Sequence, residues 1–427
     1  MENRPKLYAT AAFVTGILLT LGYKDFYPDL EWRFWRRRAE NRTLAGAGLH
    51  NNDDHINLED HERDGDVVEV PEGIEVCIGN TPLFKIKSLS EETGCDILAK
   101  AEFLNGGGGS PKDRVALSII NLAEEQGLLK PYSGDTIYEG TIGSTGISLA
   151  TVCRARGYLA SICMPSDQST EKSSLLLTLG ATVERVPPAP IVDPMHFVNR
   201  ARTLAAEHTA DPNRSGRGYF ADQFENEANW QAHYNGTGPE IFQQCGGKVD
   251  AFVAGAGTGG TIAGVARYLK ARLPKVRIVL ADPQGSGLYN RIKYGVMFNT
   301  KEKEGTRRRS QVDTIVEGIG INRVTANFEA GRELIDDAVK VEDEQALAMA
   351  RWLVEKDGIF VGSSSAVNCI AAVKTAREIG PGNRIVTILC DSGTRHISKF
   401  WAKAGNIGGK TDSKLEDIIS PKNTSDA

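Results

Sequence analysis

Lys112 follows directly on a glycine-rich run, Asn105-Gly106-Gly107-Gly108-Gly109-Ser110-Pro111-Lys112-Asp113-Arg114. Pro111 suits the first turn of a helix, so the run reads as a helix mouth. There the partial positive charge of the helix N-terminus disfavours a second positive charge and lowers the amine's pKa. A neutral amine is what a nucleophilic, Schiff-base-forming lysine requires. Taken alone, the segment equally fits a surface lysine after a flexible loop.

Two further glycine-rich turns each follow a strand pattern and open a helix pattern. One is Glu139-Gly140-Thr141-Ile142-Gly143-Ser144-Thr145-Gly146, the other Gly255-Ala256-Gly257-Thr258-Gly259-Gly260-Thr261. Both aim backbone N–H groups and hydroxyls at a helix N-terminus, which suits an anion. Gly255, Gly257 and Gly260 also fit a dinucleotide fingerprint, with Asp282 as its acidic residue. A dehydrogenase, however, does not call for a placed lysine and a second anion loop. A lysine, a phosphate loop and a carboxylate loop together suit pyridoxal phosphate acting on an amino acid.

Elements must hold these three loops in place. From Val68 onward strand runs alternate with amphipathic helices: Asp96–Ala101 before a helix over Asp113–Gln126, Thr136–Glu139 before Ser144–Arg156, Leu159–Met164 before Glu171–Leu179, and Val249–Ala254 before Thr261–Arg272. Thr182–Val186 and Arg277–Ala281 read as strands; helices over Glu342–Lys356 and Ser365–Glu378 lead to a last strand, Arg384–Cys390. This alternation predicts an α/β fold with two open, mostly parallel sheets. Pro187–Gly218 and Phe298–Gln311 read as insertions, and Arg307-Arg308-Arg309 as a solvated loop.

A chain of 427 residues, 41% apolar and 25% charged, accommodates two globular units plus extras. The net charge of −5 gives no reason to expect nucleic acid. The 7 cysteines are scattered without a CxxC pair, which argues for a reducing environment and against a zinc knuckle or a disulfide framework. His55 and His61 lie in a polar, acidic stretch at a spacing that matches no metal site, so no metal is expected.

The N-terminus differs from the body. Leu7–Tyr23 is uncharged and bracketed by Lys6 and Lys24, at the short end for a membrane-spanning helix. Tyr23, Phe26, Tyr27, Trp32, Phe34 and Trp35 suit a membrane–water interface, and Arg33, Arg36, Arg37 and Arg38 place the body on the cytosolic side. A short anchor with basic flanks fits the mitochondrial outer membrane; a presequence leading to the matrix is the alternative. The resulting division is an anchor over 1–25, a polar linker over 26–70, catalytic domains over 71–225 and 226–405, and a tail over 406–427.

From about Ile78 to Lys399 the chain resembles the fold type II pyridoxal-phosphate enzymes of the cysteine synthase (O-acetylserine sulfhydrylase) and cystathionine β-synthase family, whose fold is tryptophan synthase β-like. Within it, the chain is similar to fungal membrane-anchored mitochondrial cysteine synthase-like proteins. The matching segments, in order, are Ile78–Leu83, Ser110–Arg114, Gln223–Asn226, Gly238–Glu240, Gly257–Thr261, Glu317–Gly320 and Gly362–Ser365. The resemblance implies that Lys112 holds the cofactor and then moves protons. It gives Gly257, Thr258, Gly259, Gly260 and Thr261 the phosphate, Ser364 the pyridine nitrogen and Ser144 a place at the cofactor. It gives Thr141, Ile142, Gly143, Thr145, Gln223 and Gly318 the substrate.

The implied reaction is β-replacement, making L-cysteine from O-acetyl-L-serine and sulfide, in a homodimer. A cysteine desulfhydrase (β-lyase) on the same fold is the near alternative. A membrane-tethered scaffold without catalysis is the alternative from another class. Two departures bear on the substrate. Ile142 stands where the family has serine, and Ser144 where it has asparagine.

Overall fold

Apolar runs, rather than alternating patterns, mark the strands of this computed structural model, because most of them are covered on both faces. Residues 72–168, 170–297, 314–405 and 414–420 are described. The expected anchor Leu7–Tyr23, the linker with its two histidines, and Phe298–Gln311 lie outside them.

Six strands form the larger sheet: β1 (Leu83–Lys85), β2 (Asp96–Ala101), β7 (Ala251–Gly255), β8 (Arg277–Pro283), β9 (Asp337–Val341) and β10 (Arg384–Leu389). Their order is β1-β2-β10-β7-β8-β9, with β1 antiparallel to β2 and the other pairs parallel. Four form the smaller, all-parallel sheet: β3 (Thr136–Gly140), β4 (Leu159–Pro165), β5 (Thr182–Val186) and β6 (Gly218–Phe220), in the order β5-β4-β3-β6. The expected α/β architecture of parallel sheets is what the chain adopts. Residues 83–101, early in the sequence, supply two strands to the larger sheet beside β10.

The helices that matter for the site are α1 (Lys112–Glu125), α2 (Ser144–Ala155), α3 (Thr170–Thr178), α4 (Phe197–Ala210), α5 (Gly260–Arg272), α6 (Asp343–Asp357) and α7 (Ser363–Ile379). Helix α7 is buried along nearly its whole length, and it packs with α6 into the core of the larger sheet. Helices α1 and α2 cover the smaller sheet through Val115, Ile119, Leu149 and Val152.

Pro187–Gly218 is not a plain insertion, since it contains α4. Phe197, Val198 and Ala201 pack with Cys163 and Val186 of the smaller sheet. The apolar spacing of this segment is helical, but its proline-rich lead conceals the start, which His196 caps by accepting the Val198 N–H at 3.2 Å.

Strands β2, β3, β7 and β10 all run into loops at their carboxyl ends, where open α/β sheets hold ligands. Those loops carry Lys112, Thr141–Thr145, Gly257–Thr261 and Cys390–His396 respectively. Among the described residues no helix is long and apolar enough to cross a membrane.

Candidate active site

Lys112 is the first residue of α1, behind Pro111 with φ −57°. The glycine run ahead of it is pinned by one carboxylate. Asp113 accepts the N–H of Gly108 at 2.6 Å, of Gly109 at 2.8 Å and of Ser110 at 3.3 Å. It also accepts the Ser148 hydroxyl of α2 at 2.5 Å, so the lysine loop and helix α2 are tied together. The Lys112 amine is held below the ordinary lysine value, as its position suggests, but the main cause is burial. Negative charge at Asp391, Asp113 and Glu102 opposes the shift.

A buried charge network fixes α1 from beneath. Arg114 donates to Glu102 at 2.8 Å and to Glu240 at 2.6 Å. Lys100 reaches Glu240 at 2.6 Å, and Thr81 donates to Glu102 at 2.7 Å. Thr81, Lys100, Glu102 and Arg114 are all buried, so each charge depends on its partners.

The second loop leaves β3 at Gly140 and enters α2 at Ser144. Gln223 is locked against it: its side-chain oxygen accepts from Thr145 at 2.6 Å, and its amide donates to Glu139 at 3.2 Å. Glu139 is fully buried, and burial pushes its carboxyl up to about 8. Ile142 packs its side chain against the cluster of Cys163, Val186, Phe197, Val198 and Ala201. The loop is thus anchored by an apolar contact on one side and by Gln223 on the other.

The third loop is packed too closely for side chains. A Cβ on Gly257 would lie 2.3 Å from the Gly318 carbonyl oxygen, which places Gly318 directly against the loop. Gly259 has φ +88°, and a Cβ there would meet the Phe328 backbone at 2.5 Å. Asn229 donates to the Thr258 hydroxyl at 2.9 Å, and Thr261 lies 3.2 Å from His233 Nε2. Asp282, the acidic residue of the dinucleotide pattern, is fully buried at the end of β8 and accepts the Tyr289 N–H at 2.7 Å. It faces a helix start rather than an open groove, which removes the dehydrogenase reading.

Ser364 is buried in the first turn of α7. The Ser365 hydroxyl beside it accepts the Cys390 N–H at 2.8 Å, which brings the end of β10 to Ser364 and Lys112. Burial pushes the Cys390 thiol up to about 11, so it remains protonated here. Sequence reading passes over Cys390, since one thiol among 7 scattered cysteines gives no signal. His396 and Asp391, equally unremarked, form a buried pair at 2.9 Å close behind Gly362.

The pyridoxal-phosphate dependent enzyme family matches residues 74–391. The chain belongs to this family. It is 67% identical to cysteine synthase 2 of Emericella nidulans over 99% of both chains. It is 55% identical to a Saccharomyces cerevisiae protein whose name links it to mitochondrial cysteine synthase, over 83% of this chain and 90% of that one. Among solved structures, the O-acetylserine dependent cystathionine β-synthase of Helicobacter pylori superposes with a TM-score of 0.64 at 33% identity, covering 78% of this chain and 98% of the other.

The residues present fit a pyridoxal-phosphate cofactor. The third loop offers backbone N–H groups at the head of the 13-residue helix α5, where side chains are excluded. The buried Lys112 amine is already biased toward its neutral, nucleophilic form.

Proposed function

We propose that this protein makes L-cysteine from O-acetyl-L-serine and sulfide. The observation that carries this reading is the 67% identity over 99% of both chains to a cysteine synthase 2. Bound between the three loops, pyridoxal phosphate supplies an electron sink for reaction at the substrate's α- and β-carbons. Lys112 holds the cofactor, then takes the α-proton when acetate leaves and returns it after sulfide adds. Its lowered basicity favours that alternation.

Gly257, Thr258, Gly259, Gly260 and Thr261 would hold the phosphate, and Ser364 would offer the ring nitrogen a neutral hydroxyl. Thr141, Ile142, Gly143 and Thr145, with Gln223 and Gly318, enclose the amino acid, and Ser144 stands at the cofactor. Ile142 contributes through its backbone, since its side chain serves the apolar cluster.

The test offers the full-length protein O-acetylserine, serine and cysteine in parallel, with and without sulfide. Cysteine formed from O-acetylserine plus sulfide supports the reading. Sulfide and pyruvate released from cysteine, with no synthesis, would replace it by a β-lyase. A protein that takes up no cofactor would leave only the scaffold.

The N-terminal segment anchors the protein in the mitochondrial outer membrane with its body in the cytosol. The uncharged Leu7–Tyr23 stretch with basic flanks supports the anchor, and the mitochondrial name of the yeast relative supports the organelle alone. Protease treatment of intact mitochondria checks it, because a matrix enzyme is protected and an outward-facing one is lost. The body acts as a homodimer, which light scattering of the purified protein tests.

A further inference from the structure

The geometry points to Arg395 as a binding group for the α-carboxylate of the amino-acid substrate, a role that rests on the Thr141–Thr145 loop being the carboxylate site. Arg395 lies in the Gly393–His396 turn beyond β10. Its Nη1 is 3.5 Å from the Ser144 hydroxyl, and a Cβ on Gly109 would lie 3.5 Å from its Nη2. The guanidinium therefore spans the head of α2 and the glycine run that leads to Lys112.

Three observations give this cation a task. First, Arg395 is only half-buried and forms no ion pair among the described residues. Second, it faces the positive pole of a 12-residue helix, so two like poles share one space. That arrangement is unfavourable until an anion enters between them, and a planar guanidinium matches a carboxylate with paired donors. Third, two of the loop's side chains are already engaged, the Thr145 hydroxyl by Gln223 at 2.6 Å and Ile142 by the apolar cluster, which leaves the Thr141 and Ser144 hydroxyls and no charged group of the loop's own.

The α-carboxylate is the anion that fits. It is one bond from the carbon whose proton Lys112 must reach, and Arg395 lies beside Gly109 in the run that delivers Lys112. The acetyl group of O-acetylserine is uncharged and would leave the guanidinium without a counter-ion.

The experiment uses the full-length holoenzyme and follows the cofactor absorbance as substrate is titrated. Arg395→Met should raise the half-saturating O-acetylserine concentration by roughly tenfold or more, the scale of one hydrogen bond to a charged group. The resting spectrum and melting temperature should stay as in the wild type, and Arg395→Lys should fall between. The methyl ester of O-acetylserine, which lacks the charge, should be bound equally by wild type and Arg395→Met. Unchanged O-acetylserine affinity in Arg395→Met would overturn the assignment, and so would equal weakening for the acid and its ester. Thr141→Val judges the loop separately. Weak binding in both variants supports loop and arginine together; weak binding in Thr141→Val with normal affinity in Arg395→Met would keep the loop's role and sink the arginine's, and normal affinity in both would overturn the two readings alike.

Discussion

Glu139 holds Gln223 by both of its oxygens, accepting the backbone N–H at 3.2 Å and the side-chain amide at 3.2 Å. The carboxyl is fully buried, so a group outside the loop sets the orientation of the amide that faces it. Burial pushes Glu139 up to about 8 from 4.5. The folded protein thus keeps a proton that the unfolded chain releases. Between these two values the folded state binds more protons, so this group's contribution to stability falls as pH rises, levelling off above about 8. Thermal denaturation across that range checks it: the wild type should lose melting temperature relative to Glu139→Gln as pH rises. A difference that does not vary with pH would mean that Glu139 is ionised throughout.

Lys112→Ala should remove both the covalent hold on the cofactor and the group that moves the proton. Activity is expected to fall by roughly 10²–10⁴-fold or more. Borohydride treatment of the wild type followed by peptide mass analysis should place the cofactor's mass on the Lys112 peptide. Label on another lysine would refute the assignment.

Arg114→Met leaves Glu102 buried without its countercharge, although Glu240 keeps Lys100. Breaking such a pair from one side costs about 3–5 kcal/mol. Urea denaturation measures it, and Arg114→Met combined with Glu102→Gln should recover part of the loss.

Gly257→Ala puts a Cβ 2.3 Å from the Gly318 oxygen, so one of the two turns must move. Overpacking of this kind costs about 1–3 kcal/mol. Titration of the cofactor-free protein with pyridoxal phosphate should show affinity weakened by roughly tenfold, at 1.4 kcal/mol for each factor of ten. Unaltered affinity would take the phosphate away from this loop.

Much of the candidate site is legible in the sequence because glycine-rich turns between strand and helix patterns are local signals. Lys112, Thr141–Thr145 and Gly257–Thr261 all lie at such junctions. What stayed hidden depends on contacts between distant segments. Nothing near Glu139 in sequence says that Gln223 meets it, and nothing near Ile142 says that it packs against a cluster that includes residues of α4. The cause of the Lys112 shift stays out of view for the same reason: a helix start is visible in sequence, whereas burial of the amine is not. Helix α4 is masked in the sequence by the prolines over 187–194 that precede its apolar period.

The pairing of β2 with β10 also sets when the site can exist. Arg384 and Asp96, at the start of that pair, are 288 residues apart in sequence. The strand that leads to Lys112 therefore lacks its neighbour until nearly the whole body has left the ribosome. Long-range parallel pairing of this kind slows folding and leaves an open strand edge while synthesis continues. A nascent chain stalled before β10 would expose β2 and could not yet form the pocket around its lysine. The order of synthesis thus makes cofactor capture one of the last events in the protein's maturation.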